Sequence, residues 1–294
     1  MGRWIITGSS GQLGKEMIRL SPENVDWISV GRTRPQGTHE HYDVDFGSPE
    51  SVYSLIFSLE PDYVIHSGAM TDVDECERSP ELAMAINATS AGEIARACKD
   101  VGSRMAFIST DYVFDGNKGR YAEEHAPNPI QTYGKTKLMG EELVASNLTE
   151  SALIIRTSVV FDSESKNFIT WLYDSFESGQ RVSIVNDQWV TPTYSGFLAD
   201  SIFSLIDGEE EGMWNVACMD RMSRYEIADS IRGRLGADSS LLVESSVNTM
   251  NWVALRPRDS SLDTTKSQSL LVGKTFIEML DRFEERREHG GTAK

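Results

Sequence analysis

Tyr133 and Lys137 stand four residues apart in PIQTYGKTKLMGEEL, residues 129–143, where a proline-containing loop gives way to a helical pattern. On a helix, side chains at i and i+4 share one face. A free phenol has a pKa of about 10, and an ammonium beside it favours the phenolate and lowers that value. The pair therefore predicts a tyrosine that passes a proton to a carbonyl oxygen near neutral pH. Upstream, AFISTDYVFDG (106–116) ends an apolar run on Ser109, Thr110 and Asp111. The Thr110 hydroxyl is a candidate second partner for the same oxygen. A Y-x-x-x-K spacing alone occurs by chance on many surface helices; Thr110 and a glycine-rich turn at the start of the chain single this one out. Lys135, two residues from Tyr133, points away from that face and reads as solvated.

The glycine-rich turn is TGSSGQLG, residues 7–14, with Gly8, Gly11 and Gly14 in a G-x-x-G-x-x-G spacing. It lies between an apolar, β-branched run and a helical pattern, which is the context a dinucleotide site requires. Gly8 allows a sharp turn, Gly11 lets backbone approach a pyrophosphate, and Gly14 lets the helix pack close to the strand. The pyrophosphate then meets a helix N-terminus, whose free N–H groups and dipole favour negative charge. At the end of the second strand, sites for NAD commonly place an acid on the ribose 2′-hydroxyl. This chain has Gly31-Arg32 with Arg34 nearby. An arginine suits a 2′-phosphate through charge-assisted bonds, so NADPH is expected; if Arg32 is a solvated loop charge, NADH is the alternative.

The elements that must position these residues alternate through the first half. Strands are read at 3–8, 25–31, 62–69, 104–110 and 152–160, and helices at 11–20, 48–59, 79–102 and 133–145. In the 79–102 helix, Leu82, Ile86, Thr89, Glu93 or Ile94, and Ala97 fall near one stripe. Strands separated by helices mean βαβ units and a parallel sheet. The expected fold is α/β, a Rossmann-like doubly wound parallel sheet with a smaller C-terminal substrate-binding lobe. Ligands in such sheets sit beyond the carboxyl ends of the strands, which is where Gly8, Arg32, Gly68 and Thr110 fall. Further helices are read at 167–179, 195–206, 224–235 and 275–287, with a strand at 181–187, and EHGGTAK at the end is read as frayed. The expected division is a dinucleotide domain at 1–160 and a substrate lobe at 161–290, with 181–206 returning to the first.

Composition bounds the rest. The chain has 294 residues, 39% hydrophobic and 25% charged, with a formal net charge of −17. That is ample for a core and an enclosed site. So negative a surface repels nucleic acid and anionic membranes. It fits a salt-adapted host and an acidic mesophilic enzyme equally, and an anionic substrate would need local positive charge in its site. Cys76, Cys98 and Cys218 are odd in number and widely spaced, and read as reduced thiols. No apolar run reaches membrane-spanning length. The opening MGRWIITGSS lacks the charged segment and apolar core of a signal peptide, so a cytoplasmic location is expected.

Taken with TGSSGQLG, the segments DVDFGSPESV, AMTDVDECERSPELAMAINATS, STDYVFDG, TYGKTKLMGE, RTSVVF, VNDQWVTPT and RPRDSSLDTTK run nearly end to end. On them the chain resembles the extended short-chain dehydrogenases/reductases and, more narrowly, the dTDP-4-dehydrorhamnose reductase family. The resemblance implies NADPH-dependent reduction of the C4 keto group of dTDP-4-dehydro-L-rhamnose. It implies Tyr133 as proton donor, Lys137 as its partner and ligand of the nicotinamide ribose, and Thr110 as the hydroxyl that tunes the tyrosine. It implies cofactor contacts from Ser10, Gly11, Gln12 and Leu13, from Asp45 and Phe46 near the adenine, and from Gly68, Ala69, Met70 and Thr71 near the ribose and nicotinamide. Thr110 and Asp111 would face the sugar. It also implies a homodimer and an association with Mg2+ whose ligands the sequence does not place.

Three positions depart from the family pattern, all on the substrate side. Val159 stands where a tryptophan often lies against the sugar nucleotide. Val190 replaces a glycine, and Met70 an aromatic or histidine. Two other readings stay open: a reductase or epimerase of another nucleotide sugar, and a non-catalytic NADP-binding regulatory subunit of the methionine adenosyltransferase type. Asp72, Asp74, Glu75 and Glu77 form an acidic run that reads either as a divalent-ion site or as a solvated helix start. Arg256 and Arg258 read either as diphosphate contacts or as anchors of the last loop. His66 and His125 read as structural or surface groups.

Overall fold

The computed structural model describes residues 2–36, 38, 40–149 and 151–290. Its first half contains β1 (Gly2–Thr7), α1 (Gln12–Arg19), β2 (Val25–Val30), β3 (Glu40–Tyr42), α2 (Pro49–Leu59), β4 (Tyr63–His66), α3 (Val73–Arg78) and α4 (Pro80–Met84). A π-helical turn, Ala85–Thr89, joins α4 to α5 (Ser90–Val101); then come β5 (Arg104–Thr110), α6 (Thr132–Asn147) and β6 (Ala152–Thr157). The second half contains β7 (Val160–Phe161), α7 (Phe168–Glu177), β8 (Val182–Val185), β9 (Trp189–Val190), β10 (Thr193–Tyr194), α8 (Ser195–Asp207) and β11 (Gly212–Asn215). It continues with β12 (Met222–Ser223), α9 (Arg224–Arg234), β13 (Leu242–Ser245), α10 (Thr265–Gln268) and α11 (Phe276–Gly290).

Seven strands form one parallel sheet in the order β11-β6-β5-β4-β1-β2-β3. Side chains alternate along a strand, and here both faces are covered. Ile5, Val64, Phe107 and Ile154 pack with α2, α5 and α6 on one face. Their neighbours Ile6, Ile65, Ala106 and Ile155 pack with α1, α8 and the second half on the other. Strand order reverses between β1 and β4, so the crevice beyond their carboxyl ends is the ligand position of such a sheet. In register there, Thr7 pairs with His66 and Thr110 with Thr157.

The second half contributes to both parts. Helix α8 packs on α1, and β11 adds the outermost strand beside β6. β8 pairs with β13, and α7 and α9 pack together over that pair. Among the described residues, no helix is long and apolar enough to cross a membrane.

The α/β reading stands, with local corrections. The helix expected over 79–102 is three pieces, α4, a π-turn and α5. The stripe read from its spacing is only in part its buried face: Ile94 and Ala97 are buried along with Ala83, Asn87, Ala91 and Ala95, but Ile86 is half-buried and Leu82 and Thr89 are exposed. The strand expected to reach 160 ends at Thr157, because Val159 takes a left-handed backbone, φ +44. Helix α11 continues to Gly290, through the first residues of the stretch expected to fray; residues 291–294 lie outside the described residues.

Candidate active site

Gly8 turns with φ +65, and a Cβ there would meet the backbone N of Gly68 at 2.7 Å. A Cβ on Gly14 would meet the Gly8 carbonyl at 2.5 Å. Glycine at both positions lets β1, the loop after β4 and α1 converge, leaving the first amides of α1 facing a cavity of about 920 Å³. Gly8, Ser10, Gly11, Gln12, Leu13 and Gly14 line it. The Ser9 hydroxyl and the Gln12 side-chain carbonyl in this wall are buried without a hydrogen-bond partner, a cost that a ligand with its own hydrogen-bonding groups relieves. Volume, glycine cradle and orphaned polar atoms together fit a dinucleotide.

At one end Arg32 and Phe46 line both this cavity and an adjoining pocket of about 250 Å³, together with Ala69. Asp45, Met70, Leu82 and Ile86 complete the smaller pocket. Gly68 and Thr71 line the main cavity.

Thr110, Asp111, Tyr133 and Lys137 lie together on the wall beyond the carboxyl end of β5. Lys137 is buried with its ammonium 4.0 Å from the centroid of the Phe107 ring, whereas Lys135 is exposed. Burial brings the Lys137 ammonium down to about 7, opposed by the Glu141 charge. Burial pushes the Tyr133 phenol above its ordinary value, and the Thr110 hydroxyl pulls it back only in part. The phenol thus lies above its ordinary value and not below it as the Tyr133–Lys137 spacing suggested, with desolvation the largest cause. A protonated tyrosine is the form that donates.

Helix α6 is aimed by contacts that spacing does not reveal. Gln131 Oε1 accepts from the Gly134 N–H at 2.5 Å, and Glu77 Oε2 from the Thr132 N–H at 2.9 Å, both at its first turn. Glu141 and Arg156 form a buried two-point ion pair, 2.9 and 2.6 Å, to which the Ser109 hydroxyl adds at 2.5 Å. Asn87, in the π-turn, donates to the Thr136 hydroxyl at 3.1 Å. Gly140 permits this approach, since a Cβ there would meet the Asn87 carbonyl at 2.6 Å. π-turns inside helices are rare and concentrate at functional sites.

On the substrate side the expectations divide. Val159 lines the cavity, with the strained backbone noted above. Asp111 also lines it, but its carboxyl group is buried and turned inward. Ser158 donates to it at 2.8 Å and Thr110 at 3.1 Å, Ser260 adds a third hydroxyl, and burial holds it above its usual range. Arg258 lies outside the cavity. It pairs with Asp187 and Asn248, both at 2.8 Å, and so holds the last loop. Arg256 pairs with Asp74 at 2.8 Å. The rest of the acidic run is also engaged: Asp72 caps α3, Glu75 accepts from Arg78 and Ser79, and Glu77 caps α6. Among the described residues no group of three acidic, histidine or cysteine side chains is placed to hold a metal ion. Sequence reasoning missed Arg224, which does reach the cavity; its position at a helix start carried no signal of that.

A family model described as RmlD substrate binding domain matches residues 2–285. A probable low-salt glycan biosynthesis reductase of Haloferax volcanii is 33% identical over 274 residues, 90% of this chain and 91% of that protein. The structure of a hypothetical dTDP-4-dehydrorhamnose reductase from Sulfolobus tokodaii superposes with a TM-score of 0.85 at 38% identity, covering 92% of this chain and 95% of that one. That of dTDP-4-dehydrorhamnose reductase from Bacillus anthracis, in complex with NADP, gives 0.87 at 30% identity, covering 97% and 99%. The chain belongs to the RmlD substrate binding domain family, the dTDP-4-dehydrorhamnose reductases among the extended short-chain dehydrogenases/reductases.

Proposed function

We propose that this protein reduces the C4 keto group of dTDP-4-dehydro-L-rhamnose to dTDP-L-rhamnose with NADPH. The observation that carries this reading is the placement of Tyr133, Thr110 and Lys137 on one wall of a cavity whose floor is the Gly8–Gly14 cradle. Bound there, the reduced nicotinamide supplies a hydride to the carbonyl carbon. Tyr133, kept protonated by burial, gives its phenolic proton to the carbonyl oxygen. The Thr110 hydroxyl holds the phenol in place. The Lys137 charge then stabilises the phenolate left behind, and solvent returns the proton. Arg32, at the adenosine end, supports NADPH over NADH through a 2′-phosphate.

The test is NADPH oxidation with dTDP-6-deoxy-L-lyxo-4-hexulose generated in situ. Turnover yielding dTDP-L-rhamnose is expected. Bound NADPH without oxidation would move the reading to another nucleotide sugar or to a non-catalytic NADP-binding subunit.

A further inference from the structure

Three basic side chains line the main cavity: Arg32, Lys137 and Arg224. The first two face the cofactor end and the reacting centre. Arg224 enters from the second lobe as the first residue of α9, where Ser223 and Glu226 form a reciprocal capping box that fixes the helix start. Its guanidinium carbon stands 4.8 Å from the Phe168 ring centroid, and its charge is felt by Asp111 and Tyr112.

The neighbouring arginines of this lobe are neutralised. Arg221 pairs with Asp259, Arg256 with Asp74 and Arg258 with Asp187. Among the described residues, no carboxylate lies within ion-pair distance of Arg224. In a chain of net charge −17 most of the described arginines pair with a carboxylate, and a cavity wall is a costly place for unpaired charge. Stacked on an aromatic face, a guanidinium keeps its N–H edge open for two-point binding of an oxyanion. The pyrophosphate of a dinucleotide already has its place at the glycine cradle.

We propose that Arg224 grips the diphosphate of the nucleotide-linked substrate and is the residue by which the site selects diphosphate-linked sugars. This rests on the nucleotide-sugar reading above.

The experiment titrates dTDP into the NADP+-saturated full-length protein by calorimetry, for the parent chain, Arg224→Met, Arg224→Gln and Arg224→Lys, with Lys135→Ala as control. Losing a charge-assisted two-point contact should weaken dTDP about 10- to 100-fold. Affinity for NADP+ should be unchanged and partial rescue seen with lysine. The dTDP affinity of the parent should fall with salt, and that of Arg224→Met should fall less. In turnover the loss should appear in KM and not in kcat. The glutamine variant keeps a planar group on Phe168 and serves if the methionine variant loses stability. Unchanged dTDP affinity in the neutral variants overturns the proposal, as does an equal loss of NADP+ affinity. If the parent reduces no 4-ketosugar yet binds dTDP through Arg224, the reductase reading fails and this one stands.

Discussion

Asn87 and Met70 are joined at two points: the Met70 N–H donates to Asn87 Oδ1 at 2.8 Å, and Asn87 Nδ2 donates to the Met70 carbonyl at 3.1 Å. The same carboxamide reaches Thr136, one residue before Lys137. One buried side chain thus sets the spacing between the loop after β4 and the helix that carries Tyr133. Asn87→Ala leaves these buried partners unsatisfied. It should lower stability by about 2 kcal/mol or more and kcat by about tenfold or more, since small misplacements of reacting groups are expensive. Thermal unfolding and steady-state NADPH oxidation check both. A stability loss with kcat intact would show that the spacing set by Asn87 does not matter to chemistry.

Tyr133→Phe removes the proton donor and leaves the cradle untouched. Turnover should fall about 100- to 10,000-fold while NADPH binding, followed by fluorescence, persists. Surviving turnover would assign the donor elsewhere. The two lysines of TYGKTK separate in the same assay. Lys137 is buried on the cavity wall and Lys135 is exposed, so Lys137→Met should weaken turnover and cofactor binding together, and Lys135→Ala should change neither.

The sheet and the glycine cradle were legible because strand, turn and helix signals there agree. The irregular parts were not. A π-turn keeps an approximately helical spacing, so 79–102 reads as one helix. Strand β3 has three residues and β11 four, with little alternation to mark them. The arginines divide for a different reason. Arg224, Arg256 and Arg258 look alike in sequence, and only the positions of Asp74 and Asp187 decide which two are neutralised.

Arg32 lines both the main cavity and the adjoining pocket, where a 2′-phosphate would lie. Arg32→Asp replaces a phosphate-binding charge with one that repels phosphate and accepts from a ribose hydroxyl. The NADPH/NADH ratio of kcat/KM should drop about 100-fold, two powers of ten for the loss of one charge-assisted contact plus added repulsion. An unchanged ratio would remove Arg32 from the cofactor site.

His66 gives the fold a pH dependence that can be signed. The ring is fully buried between Phe46 and Phe107, its Nδ1 is 2.6 Å from the Thr7 hydroxyl, and its Nε2 has no partner. Burial, with a smaller push from the Lys137 charge, lowers its pKa from 6.5 to about 3. Between those values the unfolded chain binds a proton that the folded chain does not, so stability falls as pH falls through that window and is fully retained above it. The slope from this one group is about 1.4 kcal/mol per pH unit. Most carboxylates titrate below about pH 4.5, so urea unfolding between about pH 6.5 and about pH 4.5 isolates the histidine. His66→Phe keeps a ring in the stack and cannot titrate; its stability should lose about one proton's worth of slope relative to the parent. Parallel slopes in the two proteins would mean that His66 is already charged in the folded state, and that the Thr7 hydroxyl accepts from it.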